Sequence, residues 1–478
     1  MKKTAAFHTL GCKVNAYETE AMKQSLLRAG YEILPFTEKA DVYVINTCSV
    51  TNIADRKSRQ MLHRARALNP DAVVVAAGCY AQGAAELLRS DETVDLILGN
   101  EEKNDLAGAL ERWFRNTGDA GPAGPDDGAA ASGGAAVFGG TADGRGTGRH
   151  LARVEAGDIA SVRRYDTAGA DTMPDYTRAF LKIQDGCNQF CSYCVIPFVR
   201  GRCRSRLPED IRREAAAFAE KGYRELVLTG IHLSSYGRDL AETQDLLSVV
   251  QLLDKVPGVE RIRIGSLEPE IITEEFVRGL SACSHFCPHF HLSLQSGSDT
   301  VLGRMNRRYT AEQFLAGTEL IRRVFPDAAL TTDIIAGFPG ETEEEFRETL
   351  KFAERVEFYE IHAFPYSRRA GTRAAAMKGQ LTRAEKAERT AALTALSHRQ
   401  ARAFREKRIG RTEEILTEDA VSIGGTSWLT GFTREYVRIA LPEETCRKRG
   451  IGKNALVRGT VTGFLGEDLL RMELREGG

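Results

Sequence analysis

Three closely spaced cysteines are the strongest chemical signal in the sequence. Cys187, Cys191 and Cys194 lie in the stretch DGCNQFCSYCVIP, directly after an apolar run that predicts a strand. Three thiolates on one loop can ligate three irons of a cubane [4Fe–4S] cluster. The fourth iron then stays open, so that a cofactor can bind it and accept an electron. A structural zinc site would need a fourth ligand, and Cys203, which lies beyond Pro197 in an arginine-rich run, is a weak candidate.

A second set of three cysteines is dispersed, but its members share one position relative to predicted strands. Cys12, Cys48 and Cys79 end the runs HTLGC, VINTC and VVAAGC. In a parallel sheet the carboxyl ends of the strands lie along one edge, which is where such folds bind ligands. Taken singly, each cysteine would be interpreted as a small buried hydrophobic residue. Their recurrence in three successive units favours convergence on a second cluster, again with one iron that lacks a protein ligand.

The other cysteines carry less information. Cys283 and Cys287 lie close to His289 and His291, which suggests a metal site, but His291 falls on a predicted strand and Cys287 precedes Pro288 at its entry. We interpret these residues as packing or surface positions. The same interpretation covers the two remaining cysteines, Cys203 and Cys446.

The beginning of the chain and its apolar runs bear on the cellular compartment. In this chain of 478 residues the first apolar stretch ends within a few positions at His8, which is too short for a signal peptide. No later run is long and apolar enough to span a membrane. We therefore predict a cytoplasmic protein without a membrane partner. Thiols stay reduced in that compartment, so its ten cysteines favour metal ligation over a disulfide framework.

The elements that would position Cys12, Cys48 and Cys79 alternate between strand and helix. AAFHTL, VYVIN, AVVVAAG and VDLILG predict strands, and Tyr17–Ala29, Ile53–Leu68 and Gly83–Arg89 predict helices. This alternation indicates a parallel sheet with flanking helices, an α/β, Rossmann-like cluster domain over residues 1–115.

A change in composition follows this domain. From about Thr117 to Gly148 the sequence consists largely of Gly, Ala and Asp, with almost nothing to bury. We predict a disordered Gly/Ala-rich linker over residues 116–172.

Predicted strands and helices alternate again from near Tyr176. They form the element that would carry the loop with Cys187, Cys191 and Cys194, which we call the CxxxCxxC loop. Six strands are expected, at AFLKIQ, ELVLTG, RIRIGS, HFHLSL, LTTDIIAG and YEIHAF. Six βα units indicate an open, partial (β/α)6 barrel over residues 173–405. From about Arg411 short strands broken by Gly and Pro predict a small all-β barrel over residues 406–478.

Several polar residues lie at or near the predicted carboxyl ends of the barrel strands, where β/α barrels bind their ligands. We assign them to a cofactor or substrate pocket, although a packing or turn role is the alternative for each. They are Thr229, Gly230, Ser266, Glu268, Gln295 and Asp333.

Charge gives only local indications of a nucleic-acid partner, because the formal net charge of the chain is −1. The segment 381–411 carries an excess of cations on a predicted basic helix. A second run places four arginines in seven residues, and we predict that it contacts RNA phosphates, with a solvated charged face as the alternative. These arginines are Arg200, Arg202, Arg204 and Arg206.

Together these motifs resemble the methylthiotransferase family of radical S-adenosylmethionine enzymes. The resemblance rests on LGCKVNAYETE, INTCSVT, AGCYAQ, DGCNQFCSYCVIP, LTGIHLSSYG, HLSLQSGSD and DIIAGFPGE, and it covers nearly the whole chain apart from the Gly/Ala linker. It implies a three-cysteine cluster domain, a radical S-adenosylmethionine barrel and a terminal TRAM barrel that binds RNA.

The resemblance also implies a reaction and its cofactors. The cluster on Cys187, Cys191 and Cys194 would cleave S-adenosylmethionine to a 5′-deoxyadenosyl radical, and the cluster on Cys12, Cys48 and Cys79 would present the sulfur. Carbon C2 of adenine has neither a leaving group nor acidity, so radical chemistry suits it, and the protein orients the cofactors and excludes water. The implied partners are a tRNA anticodon loop and a flavodoxin- or ferredoxin-like electron donor.

Branches of the family act on different substrates. GCKVN, CSYCVIPFVRGRCRSR and LSLQSGSDTVLGRMNRRYT resemble the branch that modifies N6-threonylcarbamoyladenosine at position 37 of tRNA. The alternatives are the branch that acts on N6-isopentenyladenosine in tRNA and the branch that acts on an aspartate of a ribosomal protein. A non-catalytic RNA-binding protein stabilised by zinc or a cluster is the alternative from another class.

Overall fold

The computed structural model describes residues 2–118, 152–165, 169–241 and 244–474. The chain forms two compact units. Unit 1 consists of Met1–Asp171 together with Gly186–Asn188 and Cys194–Arg202, and unit 2 contains the rest of the chain.

Unit 1 is built on a six-stranded parallel sheet with the strand order β2-β1-β3-β4-β5-β6. The strands are β1 (Thr4–Thr9), β2 (Glu32–Leu34), β3 (Val42–Thr47), β4 (Val73–Gly78), β5 (Leu96–Leu98) and β6 (Arg153–Glu155). Its helices are α1 (Lys13–Arg28), α2 (Asn52–Leu68), α3 (Cys79–Gly83), α4 (Ala85–Arg89), α5 (Leu106–Gly118) and α6 (Ile196–Arg200).

Apolar packing on both faces of this sheet explains why its central strands are almost continuously hydrophobic. Every residue of β3 and β4 is buried, as expected for a parallel sheet covered by helices. Val44 and its neighbours pack with Leu26 of α1 on one face, and Ile45 packs with Leu62 of α2 on the other. The predicted α/β fold with a parallel sheet is confirmed for this unit.

The end of unit 1 differs from the prediction. β6 pairs in parallel with β5, so Arg153–Glu155 belong to the sheet and not to the linker predicted over residues 116–172. The sequence RVE is short and polar, and its burial is only partial, which leaves no apolar pattern to recognise. Residues 119–151 of the predicted linker lie outside the described residues.

Unit 2 contains the partial barrel. Its strands form the parallel sheets β11-β10-β7 and β12-β13-β14-β15, and β11 and β12 are separated only by Gly265, so the chain passes directly from one sheet to the other. The strands are β7 (Ala179–Lys182), β8 (Gln184–Asp185), β9 (Arg204–Ser205), β10 (Glu225–Thr229), β11 (Arg261–Ile264), β12 (Ser266–Leu267), β13 (His289–Leu292), β14 (Ala329–Ala336) and β15 (Glu360–Pro365). All six predicted barrel strands are confirmed, and the short β8 and β9 form a separate antiparallel pair.

Helices connect the barrel strands, and several begin at threonines whose side chains accept a backbone N–H of the first turn. Thr310, Thr342 and Thr382 form capping boxes with a Gln or Glu three residues later. The helices are α7 (Pro208–Glu220), α8 (Leu246–Leu253), α9 (Glu274–Ser281), α10 (Asp299–Arg304), α11 (Ala311–Val324), α12 (Glu343–Val356), α13 (Arg373–Ala376) and α14 (Arg383–Glu406).

The chain ends in a small closed barrel with the strand order β16-β17-β18-β20-β19. Its elements are β16 (Thr412–Ile423), β17 (Thr426–Phe432), β18 (Arg438–Pro442), α15 (Glu443–Lys448), β19 (Leu456–Phe464) and β20 (Leu470–Leu474). The predicted all-β terminal barrel is thus present, in the same compact unit as the β/α barrel.

A buried ionic group lies inside unit 2, and we name it the Glu225 cluster: Glu225, Arg178, Arg261 and Arg263. Nε of Arg263 lies 2.8 Å from a Glu225 carboxylate oxygen, and Nε of Arg178 lies 3.1 Å from it. Burial alone would raise the pKa of Glu225, but the three arginines outweigh burial and lower it. The cluster reaches the terminal barrel, because Arg261 donates to the Phe432 carbonyl oxygen at 2.8 Å and Arg263 to that of Arg434 at 2.8 Å.

In the described ranges no helix combines the length and the apolar character that a membrane crossing requires.

Candidate functional site

The sheet of unit 1 brings Cys12, Cys48 and Cys79 to one edge. Each cysteine follows the carboxyl end of a strand, and the three strands, β1, β3 and β4, are neighbours in the sheet. Burial raises the pKa of Cys48 to about 11, and the nearby thiols of Cys79 and Cys12 contribute to the increase. The three cysteines therefore lie at the same edge of the sheet, as predicted from their strand-end positions.

Two glycines allow the backbone to approach this closely. Gly11 has φ +99°, and a Cβ atom there would lie 2.8 Å from the Cys48 sulfur. Gly78 has φ +92°, and a Cβ atom there would lie 2.7 Å from the Thr47 carbonyl oxygen. Both values fall in the left-handed region that favours glycine. A side chain at either position would displace the segment that presents Cys12 or Cys79.

The donor set of this edge fits an iron–sulfur cluster better than a single metal ion. All ten cysteines lie in the described ranges and are thiols. Within those ranges only His291, Asp333 and His362 place three potential ligand atoms within 4.8 Å of one another. Cys12, Cys48 and Cys79 offer three thiol ligands, which can hold three irons of a cubane, whereas a structural zinc site needs a fourth ligand.

The arginine run after the CxxxCxxC loop is mostly buried, which contradicts its predicted role in RNA contact. Arg200 is fully buried and pairs with Glu18 at 2.5 Å. Arg206 pairs with Glu214, and Arg204 lies 3.7 Å from a carboxylate oxygen of Asp185. Buried guanidiniums held by carboxylates cannot reach phosphates, so the prediction is wrong for these three arginines. Arg202 is exposed, and its RNA contact remains a prediction.

The CxxxCxxC loop is divided between the units. Cys187 and Cys194 belong to unit 1 and Cys191 to unit 2. In unit 1 the backbone N–H of Cys187 donates to the Gly201 carbonyl oxygen at 3.0 Å. In unit 2 Ser192 contacts the end of α10: its N–H donates to the Met305 carbonyl oxygen at 2.9 Å, and its hydroxyl to that of Arg304 at 2.8 Å. Hydrogen bonds to main-chain carbonyl oxygens therefore hold the loop at both of these positions.

Arg307 contacts both Cys191 and Glu268, which is one of the predicted pocket residues. Its Nη1 lies 3.3 Å from the Cys191 sulfur, and its Nη2 pairs with the carboxylate of Glu268. Burial raises the pKa of Glu268, although Arg307 opposes that shift. The guanidinium therefore places one fixed positive charge between a candidate cluster ligand and a buried carboxylate of the barrel.

His232 is a buried group beside the same carboxylate. Its Nε2 lies 3.9 Å from Glu268 and makes no hydrogen bond within the described part of the chain, whereas its Nδ1 lies 2.6 Å from the Ser235 hydroxyl. Burial, followed by the charges of Arg307 and Arg238, lowers the pKa of His232 to about 4. The imidazole is therefore neutral at neutral pH and can accept or donate one hydrogen bond.

The other predicted pocket residues lie along the same region of the barrel. Thr229 ends β10, and its buried hydroxyl has no hydrogen-bond partner among the described residues. Gly230 follows it, and Ser266 is exposed at the start of β12. Gln295 has φ +65°, a strained value that occurs often at functional sites. Its backbone N–H donates to the carbonyl oxygen of Asp333 at 2.9 Å.

Three polar residues, His291, Asp333 and His362, lie on adjacent strands of the barrel. The Nε2 of His291 on β13 lies 3.3 Å from Asp333 on β14, and the rings of His291 and His362 stack at 5.6 Å.

Sequence patterns predict only a packing role for His291, and they do not mark Arg307, His232 or His362 as pocket residues. Their partners are distant in sequence, so no local pattern marks them. The prediction of packing or surface roles fits Cys283 and Cys287, which are buried.

Comparison with known proteins identifies the family of this chain. Residues 181–353 match the Radical SAM superfamily, and residues 4–99 match the Uncharacterized protein family UPF0004. The chain is 39% identical over 437 residues to "Threonylcarbamoyladenosine tRNA methylthiotransferase MtaB" of Bacillus subtilis (strain 168), which covers 91% of this chain and 90% of the relative. The chain belongs to the methylthiotransferase family of radical S-adenosylmethionine enzymes. Membership implies S-adenosylmethionine and a [4Fe–4S] cluster as cofactors.

Other methylthiotransferases and a solved structure extend the comparison. The chain is 34% identical to "tRNA-2-methylthio-N(6)-dimethylallyladenosine synthase" of Moorella thermoacetica, with 92% of this chain and 93% of the relative covered. The radical S-adenosylmethionine methyltransferase TsrM from Kitasatospora setae superposes with a TM-score of 0.54 at 15% identity, over 78% of this chain and 77% of that one. This last likeness supports the fold alone.

Replacing Arg307 by methionine is expected to destabilise unit 2 of the methylthiotransferase by about 2–3 kcal/mol, because the largely buried carboxylate of Glu268 would lose this cation. The chain has two tryptophans, so urea unfolding in a Trp113→Phe background reports on unit 2 through Trp428. Adding Glu268→Gln should recover most of the loss.

An exposed arginine of unit 2 provides the matched control. Arg347 pairs with Glu343 at 3.5 Å, and its side chain is 57% exposed, so Arg347→Met should cost less than about 1 kcal/mol. Equal destabilisation by the two arginine substitutions would contradict a buried ion pair at Arg307.

Proposed function

We propose that this chain inserts a methylthio group at C2 of N6-threonylcarbamoyladenosine at position 37 of tRNA. The observation that carries this proposal is the identity of its relatives. Proteins named threonylcarbamoyladenosine tRNA methylthiotransferase, from Bacillus subtilis, Aquifex aeolicus, Chlamydia pneumoniae and Thermotoga maritima, are 34–39% identical to it over 87–92% of its length. The GCKVN and CSYCVIPFVRGRCRSR motifs favour the same substrate.

We infer two [4Fe–4S] clusters. A cluster held by Cys187, Cys191 and Cys194 would supply the electron that cleaves S-adenosylmethionine, and a cluster held by Cys12, Cys48 and Cys79 would supply sulfur for transfer. The convergence of the second cysteine set at one sheet edge supports it. An external flavodoxin- or ferredoxin-like protein would deliver the electron.

The side chains around Glu268 would bind and orient the organic reactants. Arg307 fixes the position of the Glu268 carboxylate, and neutral His232 and the Thr229 hydroxyl offer hydrogen bonds that the described residues do not use. A buried, partly unsatisfied polar pocket of this kind suits a ribose or an amino-acid group, because a ligand can complete its hydrogen bonds.

His291, Asp333 and His362 give the barrel a polar surface that fits the proposed nucleoside. The threonylcarbamoyl substituent carries a carboxylate, a hydroxyl and amide groups, whereas the substituent of the dimethylallyl nucleoside is purely apolar. Imidazoles can pair with the carboxylate, and Asp333 can accept from the hydroxyl or an amide. This polarity favours the threonylcarbamoyl substrate over the alternative.

RNA contact would involve Arg202, cations of α14 and the terminal barrel, for which we propose the TRAM role. Arg202 and Arg402 are exposed. Splayed bases of an anticodon loop are the usual targets of sequence-specific RNA recognition.

Anaerobic turnover with three substrates tests the proposed function. Purified tRNA bearing threonylcarbamoyladenosine, tRNA bearing dimethylallyladenosine and the ribosomal protein substrate are each incubated with reconstituted enzyme, dithionite and S-adenosylmethionine. Digestion and mass spectrometry should detect the 2-methylthio product only with the first substrate, and tRNA that lacks the threonylcarbamoyl group is the matched control. Product from either of the other substrates alone would overturn the assignment. Nucleosides from cells without this gene should lack the same modification.

A further inference from the structure

Arg200 is an unusually placed cation, because it lies at the end of α6 yet is completely buried. It follows Cys194 by six residues. Its Nη1 and Nη2 pair with Glu18 at 2.5 and 3.0 Å, and Nη2 also donates to Asn15 Oδ1 at 2.6 Å. The carboxylate thus holds the guanidinium in one orientation.

That orientation directs the remaining nitrogen at a proposed cluster ligand. Nε of Arg200 donates to the Cys79 sulfur at 3.1 Å. The thiol stands in for the thiolate that would bind iron, and a hydrogen bond to a thiolate is stronger than one to a thiol. Arg200 therefore contacts the cysteine set directly, through the sulfur of Cys79.

A second buried cation shares the same carboxylate. Lys103 is fully buried, and its Nζ lies 2.6 Å from Glu18 and 2.7 Å from Asn100 Oδ1. Asn100 in turn donates to the Val199 carbonyl oxygen at 2.7 Å and lies 3.8 Å from the Cys79 sulfur. Both cations therefore lie against the Glu18 carboxylate, close to Cys79.

We propose that Arg200 is a positioning residue for the cluster on Cys12, Cys48 and Cys79, where it donates a hydrogen bond to the Cys79 sulfur and raises the cluster's reduction potential. The inference rests on the second cluster of the proposed function. Net charge and hydrogen bonds to sulfur are established determinants of such potentials. Because α6 begins two residues after Cys194, the segment that ends the CxxxCxxC loop also carries the residue that adjusts the other cysteine set.

The test isolates the second cluster in the full-length chain. A Cys187→Ala, Cys191→Ala and Cys194→Ala background keeps only the cluster on Cys12, Cys48 and Cys79, and its potential is followed by redox titration with electron paramagnetic resonance. Arg200→Gln should lower the potential, with an expected tenfold shift of the redox equilibrium, or about 59 mV for a one-electron couple. Arg200→Lys should recover part of the shift, since it keeps the charge but loses Nε.

Two further variants separate charge from packing. Glu18→Gln should raise the potential, because it removes a negative charge near the cysteines. If Arg200→Gln alone does not fold, the double variant Arg200→Gln with Glu18→Gln removes one charge of each sign and should show only the smaller decrease caused by the lost hydrogen bond. Arg204→Gln is the matched control, because Arg204 is a buried arginine of the same run that pairs with Asp185 in unit 2, and it should leave the potential unchanged.

The outcomes distinguish the inference from the proposed function. Absence of any cluster in the background chain would refute the second cluster itself. A cluster whose potential and spectrum stay the same in the background chain, in its Arg200→Gln variant and in the double variant would overturn the role of Arg200 and leave the second cluster intact.

Discussion

Replacing Cys187, Cys191 and Cys194 together by alanine is expected to abolish reductive cleavage of S-adenosylmethionine. The reconstituted wild-type chain should hold about eight irons if both cysteine sets bind [4Fe–4S] clusters, and the triple variant should retain about half of them. Iron and sulfide analysis measures the cluster content of each variant, and chromatography of 5′-deoxyadenosine after dithionite reduction measures the cleavage.

A matched control removes three other thiols. Cys203, Cys283 and Cys446 are buried packing residues, and their simultaneous replacement by alanine should keep both the iron content and the cleavage in protein that still folds. Cleavage that survives in the Cys187, Cys191 and Cys194 variant would refute the assignment of the radical site.

The second prediction with a large expected effect distinguishes the functions of the two cysteine sets. Replacing Cys12, Cys48 and Cys79 by alanine should preserve cleavage of S-adenosylmethionine, because the CxxxCxxC loop supplies its own three ligands. Methylthio transfer to threonylcarbamoyladenosine in tRNA should disappear, because the sulfur source would be lost. Single-turnover incubation followed by nucleoside mass spectrometry measures both results in one sample. Product from a folded triple variant would show that these cysteines only pack the sheet.

One rule of parallel sheets was enough to predict that these three cysteines lie at one sheet edge, and the cluster that they would hold remains a proposal. Cys12, Cys48 and Cys79 each follow a strand, and neighbouring parallel strands end at one edge whatever their loops contain. The six barrel strands were likewise predictable, since each is a β-rich run, and β7, β10 and β11 are buried along their whole length. The edge strands β2 and β6 were missed because they are three residues long and only partly buried.

The arginine run shows that a local sequence pattern does not predict whether a charged side chain is exposed or buried. Arg200, Arg204 and Arg206 look like a solvated basic stripe, but their carboxylate partners decide their burial. Glu18 lies 182 residues before Arg200 in the chain, and Glu214 lies 8 residues after Arg206. The spacing of charges in the sequence does not show which carboxylate each arginine pairs with in the fold. The same reason hid the link between Arg307 and Glu268, which are 39 residues apart.

The Glu225 cluster has a consequence for how the terminal barrel can diverge among relatives. Arg261 and Arg263 donate to carbonyl oxygens of Phe432, Thr433 and Arg434, which are main-chain acceptors that any residue type provides. The β/α barrel also contacts the side chains of this region, because Arg178 and Arg263 lie over the Tyr436 ring and Arg261 pairs with Glu414. A chimera that receives a foreign terminal barrel should therefore dock only if the graft keeps both the backbone path of this turn and these side-chain partners. Within that limit, the rest of the terminal barrel surface can be exchanged without redesign of the β/α barrel.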